Sequence, residues 1–199
     1  MIPSETFIAL VHHPVYDKHR KIVATALTNL DLHDIARSCR TYGVAGFFIV
    51  HPVEAQRALA QRIADHWMAE GAEMNDFRRD AIARVSVVAT VEDAVAAVTA
   101  RVGRSPLRVA TSARPAEGTI GYQALVREAS GPALILLGTG WGLTEEVVAA
   151  CDRRLAPVQA SSDYNHLSVR SACAIILDRL YGDRENYASS SKSGQGTEK

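Results

Sequence analysis

Six short apolar runs, most of them set apart by segments of helical periodicity, narrow the folds open to this chain more than any other feature. The runs lie at 7–11, 46–50, 85–89, 107–111, 133–137 and near 155–158, and the helical patterns at 32–42, 53–70, 91–102, 122–128, 144–151 and 168–180. Continuous apolar runs without polar alternation suit strands covered on both faces. The pattern therefore predicts an α/β fold, a mostly parallel sheet flanked by helices. Residues 15–28 interrupt the alternation with a charged stretch, 17–21, between two short apolar runs, which suits a hairpin excursion. Thr90 and Asp93 have capping-box spacing. With 199 residues the chain can build one sizeable core. The expected division is a domain over 1–182 and a disordered tail over 183–199, where almost no apolar side chains offset the entropy of ordering.

Charge excludes some partners and leaves others open. The 22 basic and 22 acidic residues cancel, so a nucleic acid would be held by a local patch and not by the field of the whole molecule. Two arginine groups are candidates, one of Arg101, Arg104, Arg108 and Arg114, the other of Arg78, Arg79 and Arg84; each also reads as solvated helix ends and loops. No apolar run reaches the ~18 residues of a membrane span, and the start lacks the basic flank of a secretory signal, so the expectation is a cytoplasmic protein without a membrane partner. Cys39, Cys151 and Cys173 are widely spaced among apolar helix positions and read as reduced core thiols. The histidines show no ligand spacing, His12 and His13 read as solvated residues at a strand end, and no metal is expected.

The stretch LGTGWGL at 137–143 joins a buried-strand run to a helix. Gly138, Gly140 and Gly142 remove every second Cβ, which lets a ligand reach the main chain or lets the chain make a tight turn; both readings stand. The spacing matches neither a P-loop nor a dinucleotide fingerprint. Ligands of open α/β sheets bind beyond the carboxyl ends of the strands, where the loops after 107–111, 133–137 and 155–158 would converge on one pocket. Trp141 is either an anchor over the core or an aromatic wall of that pocket. On a helix N-capped by Asp31, residues Leu32, Ile35, Ala36 and Cys39 form a core stripe, and His33, Arg37 and Arg40 gather on its flank, either lining a cleft or snorkelling from an ordinary amphipathic helix. The last helix carries the stripe Val169, Ala172, Cys173, Ile176 and Leu180. Asn165, His166, Ser168, Arg170 and Ser171 crowd its first turn, for capping or for an anion.

Taken together, DLHDIARSCRTYGV at 31–44, LGTGWGL at 137–143, LAP at 155–157 and NHLSVRSACAII at 165–176 are similar in order and spacing to the three motifs of SPOUT, or α/β-knot, RNA methyltransferases. Residues 7–182 resemble a bacterial branch of predicted S-adenosylmethionine-dependent RNA methyltransferases. The resemblance implies a sheet whose C-terminal segment threads a preceding loop as a trefoil knot, an exception to the unknotted-chain rule. It also implies a homodimer packed through the knot, with an RNA substrate, tRNA or rRNA, and no DNA. S-adenosylmethionine would lie among Thr111, Ser112 and Ala113, then Gly138, Gly140, Gly142 and Leu143, then Pro157, Val158, Leu167 and Ser168. Arg37 matches the motif-one arginine of ribose-methylating relatives and is the implied catalytic residue. Asp163 aligns loosely with a position where a carboxylate could accept a ring-nitrogen proton. His33, Arg40 and Arg114 fall where RNA would bind.

The chain departs from the ribose-methylating pattern at Asp31, His33 and Gly140, where those relatives have Asn, Gly and often Glu. A noncatalytic knot protein that binds RNA or a partner and keeps the pocket would rest on these departures. A nucleotide-dependent oxidoreductase fits less well, because no second mononucleotide-binding half can follow Gly142.

Overall fold

The computed structural model describes residues 1–69, 75–162 and 164–182. Six parallel strands form one sheet: β1 (Thr6–Val11), β4 (Gly46–Val50), β5 (Val85–Val88), β6 (Leu107–Ala110), β7 (Ala133–Gly138) and β8 (Arg153–Arg154), in the order β5-β4-β1-β7-β6-β8. β1 pairs with both β4 and β7, and all three are almost wholly buried, as their unbroken apolar runs require. A separate antiparallel hairpin, β2 (Val15–Tyr16) with β3 (Ile22–Val23), is the excursion expected there; the Asp17 carboxylate accepts from the amides of His19 and Lys21 in its turn.

Alternate residues of each strand serve two cores. Ile8, Leu10, Phe47, Ile49, Ile135 and Leu137 face one layer of helices: α1 (Asn29–Thr41), α2 (Glu54–Ala69), α3 (Asp76–Ile82), α5 (Tyr122–Glu128) and α7 (Val169–Tyr181). Phe7, Ala9, Phe48, Val50, Leu134 and Leu136 face α4 (Val91–Val102) and α6 (Glu145–Ala149) on the other side. In α1 the expected stripe of Leu32, Ile35, Ala36 and Cys39 is fully buried; α7 buries Cys173, Ile176, Leu177 and Leu180. Cys39 and Cys173 are buried free thiols and Cys151 is half-buried. The capping box at Thr90 and Asp93 is present in full. No helix among the described residues is long and apolar enough to cross a membrane.

Four local readings need correction. α1 starts at Asn29 and its N-cap is Thr28, not Asp31; the Thr28 hydroxyl accepts from the Asp31 amide and donates to its carboxylate, which moves the helix start one turn earlier. β8 comprises Arg153 and Arg154 and precedes the apolar 155–158 run, because main-chain pairing to Val109 and Ala110 defines it. α6 closes at Ala149, short of the expected span. α3 was not expected at all: Asn75 caps it, and only Ala81 and Ile82 are buried. The tail 183–199 lies outside the described residues.

The segment around β8 has an unusual setting. Leu155 donates its amide to the Ala110 carbonyl at 2.9 Å, and on the other side Ile120 donates to Arg154 at 2.8 Å and accepts from Ala156 at 2.9 Å. Residues 154–156 thus lie between β6 and the loop that leaves β6.

Candidate functional site

The loops after β6, β7 and β8 meet at the carboxyl end of the sheet. Thr111 is tied to β7 by its amide and by its hydroxyl, which donates to the Leu136 carbonyl at 2.9 Å. Ser112 Oγ accepts from the Arg114 amide, and the Ala113 carbonyl accepts from Asn165 Nδ2 at 2.8 Å, joining the first loop to the third. Trp141 of the glycine loop meets His166 edge-on with ring centroids 6.5 Å apart, joining the second loop to the third. Trp141 is half-exposed and so is not an anchor over the core. Pro157 and Val158 are half-buried, Leu167 is exposed, and Ser168 caps α7 by accepting from the Ser171 amide. Arg114 is exposed on the rim.

The three glycines differ in what they do. At Gly138 a Cβ would sit 2.5 Å from the Leu143 amide, so this glycine lets the loop fold back on its own strand. At Gly140, with φ of +58°, a Cβ would meet the Tyr16 carbonyl at 2.9 Å. The β2–β3 hairpin clamps the loop there: Trp141 donates to the Tyr16 carbonyl, Tyr16 donates to the Gly142 carbonyl at 2.9 Å, and Val15 bridges Leu143, whose side chain is buried. Gly142 has φ of +99° with open space where a Cβ would be. Part of the glycine requirement is therefore internal packing, and Gly142 is the position that leaves room.

Beneath the loop lies a buried polar chain that sequence patterning did not reveal. His12, read as solvated, is fully buried at the end of β1, because Val50 and Thr25 take up its main chain and Thr25 covers its ring. Thr139 donates to the Val11 carbonyl, Thr25 Oγ1 hydrogen-bonds Thr139 Oγ1, and His12 Nδ1 lies 3.0 Å from Thr25 Oγ1. Anchored on Val11, the donors run from His12 Nδ1–H through Thr25 to Thr139, which leaves His12 Nε2 a buried acceptor without a partner among the described residues. Burial, and then the neighbouring His51, push His12 down to about 4, so the ring is neutral. His51 stacks on it at 5.2 Å and is itself fixed: Nε2 donates to the Thr25 carbonyl and Nδ1 accepts from the Val53 amide.

α1 borders this end of the sheet. Arg170 in the first turn of α7 pairs with Asp31 at 3.1 Å and Asp34 at 3.4 Å, which ties the first turns of the two helices together. Arg37 lies about 9 Å further along the axis. It is exposed, and no carboxylate pairs with it among the described residues. Arg40 is a turn beyond and is held by Asp80 of α3, away from the three loops. His33 is half-buried, edge-on to Trp67 at 5.5 Å, and lowered in pKa first by burial and then by Arg78. Two of the three residues predicted on the α1 flank, His33 and Arg40, thus meet α2 and α3. Asp163 lies outside the described residues. A cleft of about 430 Å³, lined by Arg104, Arg108, Gly131 and Arg153 among others, opens at the opposite, amino end of β6; of the three loops it meets only Ile120, at the far end of the loop after β6.

A family model described as SAM-dependent RNA methyltransferase matches residues 5–182. The chain belongs to that S-adenosylmethionine-dependent RNA methyltransferase family. Its relatives include a tRNA (guanine-N(1)-)-methyltransferase of Oleidesulfovibrio alaskensis, 44% identical over 181 residues, covering 89% of this chain and 42% of the relative. A protein of Aquifex aeolicus is 40% identical over 185 residues, covering 91% of this chain and 90% of that one. This member of the methyltransferase family spans less than half the length of the first of these relatives. Among solved structures, the SpoU methyltransferase AviRb of Streptomyces viridochromogenes superposes with a TM-score of 0.55 at 17% identity, covering 94% of this chain and 61% of that one; the likeness is one of fold, a mostly parallel sheet flanked by helices.

Proposed function

We propose that this chain transfers a methyl group from S-adenosylmethionine to RNA in the cytoplasm, as a homodimer, with the cofactor among the three loops. The observation that carries the reading is their convergence, fixed by the Asn165–Ala113 hydrogen bond and the Trp141–His166 contact. The donor set suits the group: main-chain amides and small side chains at Thr111, Ser112, Ala113, Gly138, Gly140, Gly142 and Leu143, with half-buried Pro157 and Val158 and exposed Leu167 as apolar walls and Ser168 at the helix start. Bound S-adenosylmethionine supplies an already electrophilic methyl group. The protein's share is positioning, with the hairpin and the buried Thr139–Thr25–His12 chain holding the glycine loop still. Arg37, exposed and without a carboxylate partner among the described residues, is the proposed catalytic residue, steering the acceptor RNA; Asp163 is the proposed proton acceptor. The setting of residues 154–156 between β6 and Ile120 supports a threaded C-terminal segment.

The tRNA guanine activity named for the relative belongs to a longer chain, so the acceptor proposed here is RNA, tRNA or rRNA. Calorimetry tests the core of the reading: S-adenosylmethionine binds and NAD does not. Arg37→Ala keeps that binding and lowers methyl incorporation into RNA from a deletion strain by about 100-fold, the scale of a lost charge contact to the acceptor. Cofactor binding with no methyl incorporation into any cellular RNA would favour the noncatalytic reading, to which the structural use of Asp31 in pairing Arg170 lends support.

A further inference from the structure

The two arginine groups of the sequence meet different fates in the fold. In the first group Arg101 lies over the Phe7 ring, Arg104 pairs with Glu5 at 3.3 Å and Arg108 reaches Asp152 at 3.9 Å, while Arg114 is exposed without a carboxylate partner among the described residues; the ring that this group meets, Phe7, is fully buried. The second group packs against the flank of α1 and is in surplus. Arg40 pairs with Asp80 and Arg79 with Asp76, whereas Arg37, Arg78 and Arg84 have no carboxylate among the described residues. The guanidinium of Arg78 lies 4.6 Å from the centre of the Trp67 ring, on the same tryptophan that His33 meets edge-on. The two clusters are therefore one surface. Beside it, in the first turn of α3, Phe77 is 90% exposed.

A large ring left in water next to unanswered cations suits one kind of partner in particular. Unpaired nucleic-acid strands present flat bases to stack on an aromatic ring and phosphates for the adjacent arginines, whereas an acidic peptide offers the charge without the rings. We infer that the α1–α3 face, with Phe77 as a base-stacking platform and with Arg78 and Arg79 as phosphate contacts, Arg79 exchanging its long, solvent-exposed pair with Asp76 for the strand, is the docking surface for a single-stranded stretch of RNA. The inference rests on the RNA reading above. Helix α1 links this surface to the candidate site, because Arg170 joins the first turn of α1 to the start of α7. A strand lying along α1 passes Arg37 on its way to the three loops.

Fluorescence anisotropy of a labelled oligouridylate of roughly a dozen nucleotides against the full chain tests this, with S-adenosylmethionine calorimetry run on every variant. Phe77→Ala weakens RNA binding about 5- to 100-fold and Phe77→Tyr restores it, as loss and return of one stacked base require. Arg78→Gln with Arg79→Gln weakens it about 10-fold or more and lowers the salt slope by about 1 to 2. Arg104→Gln leaves it within about 2-fold, the scatter of a surface change away from the strand. Cofactor affinity is unchanged throughout, which separates a lost RNA contact from a damaged fold. Should the arginine pair prove to support the fold through Trp67, the Phe77 variants decide, since that exposed ring holds nothing together. Wild-type RNA affinity in Phe77→Ala overturns the surface and leaves the RNA reading standing. So does a Phe77→Ala protein that changes only from dimer to monomer in sedimentation. No RNA binding by the wild type, in the presence of bound cofactor, overturns the RNA reading itself.

Discussion

His12 shows how much a single residue can hide from sequence. Next to His13, after an apolar run, it resembles a polar residue entering solvent, yet its ring is fully buried, bonded to Thr25 and stacked on His51, with Thr139 next in the chain behind Thr25. Its partners come from distant parts of the chain, and nothing in local periodicity marks Thr25 or Thr139 as more than small polar residues. Gly142 was legible as a position needing freedom, but the reason at Gly140 was not, because the Tyr16 carbonyl that crowds it belongs to the hairpin. The buried ring has a consequence for stability. Unfolded, His12 titrates near 6.5; folded, it is pushed down to about 4. The folded protein therefore binds fewer protons between these values and loses stability as pH falls through that window, by about 3 kcal/mol. Burial lowers His33 and His51 in the same direction. Urea midpoints measured from pH 7 to pH 4 should fall steeply in the wild type and less steeply in His12→Asn, whose amide can still donate to Thr25. Equal slopes would mean that His12 is not the buried base described here.

Among the elements, the α1–α7 pair shows what patterning reads well and what it misses. Both core stripes were visible because 3.6-residue spacing places apolar side chains on one face regardless of context. The start of α1 was misread by one turn, since Thr28 and Asp31 are both good capping residues and only the hydrogen bonds distinguish them. In the crowded first turn of α7, Ser168 caps the helix and Arg170 serves α1, answering Asp31, which is nearly buried, and Asp34. Removing the guanidinium leaves a buried carboxylate with Thr28 as its side-chain partner. Arg170→Met should cost about 2 to 3 kcal/mol in chemical denaturation, and adding Asp31→Asn should recover at least half of that, as expected when the loss comes from a stranded charge. Additive losses would refute the coupling. α3 escaped notice for the opposite reason: it is short, rich in charge, and buries only Ala81 and Ile82.

At the scale of the whole molecule, the parallel sheet and its two helical layers were legible because central strands must be apolar on both faces. The pairing of β8 was not, because Arg153 and Arg154 join the sheet through main chain alone. The convergence of three loops followed from the sheet type, while their mutual contacts through Asn165 and His166 join residues far apart in the chain and leave no mark on local spacing. A ligand held by all three loops binds only the folded state. S-adenosylmethionine at about 100 times its dissociation constant should therefore add about 2.7 kcal/mol, which raises the melting temperature by roughly 5–10 °C. No shift in scanning calorimetry would argue against a shared site.

The placement of β1 at the centre of the sheet reaches back to the ribosome. Its partner β4 follows within a few dozen residues, but β7, which covers the opposite edge, begins only at Ala133. At ~5–20 residues per second, a nascent chain carries an uncovered apolar strand edge for on the order of ten seconds. During translation this half-built sheet is open to edge pairing with other chains, and to chaperones that bind such edges.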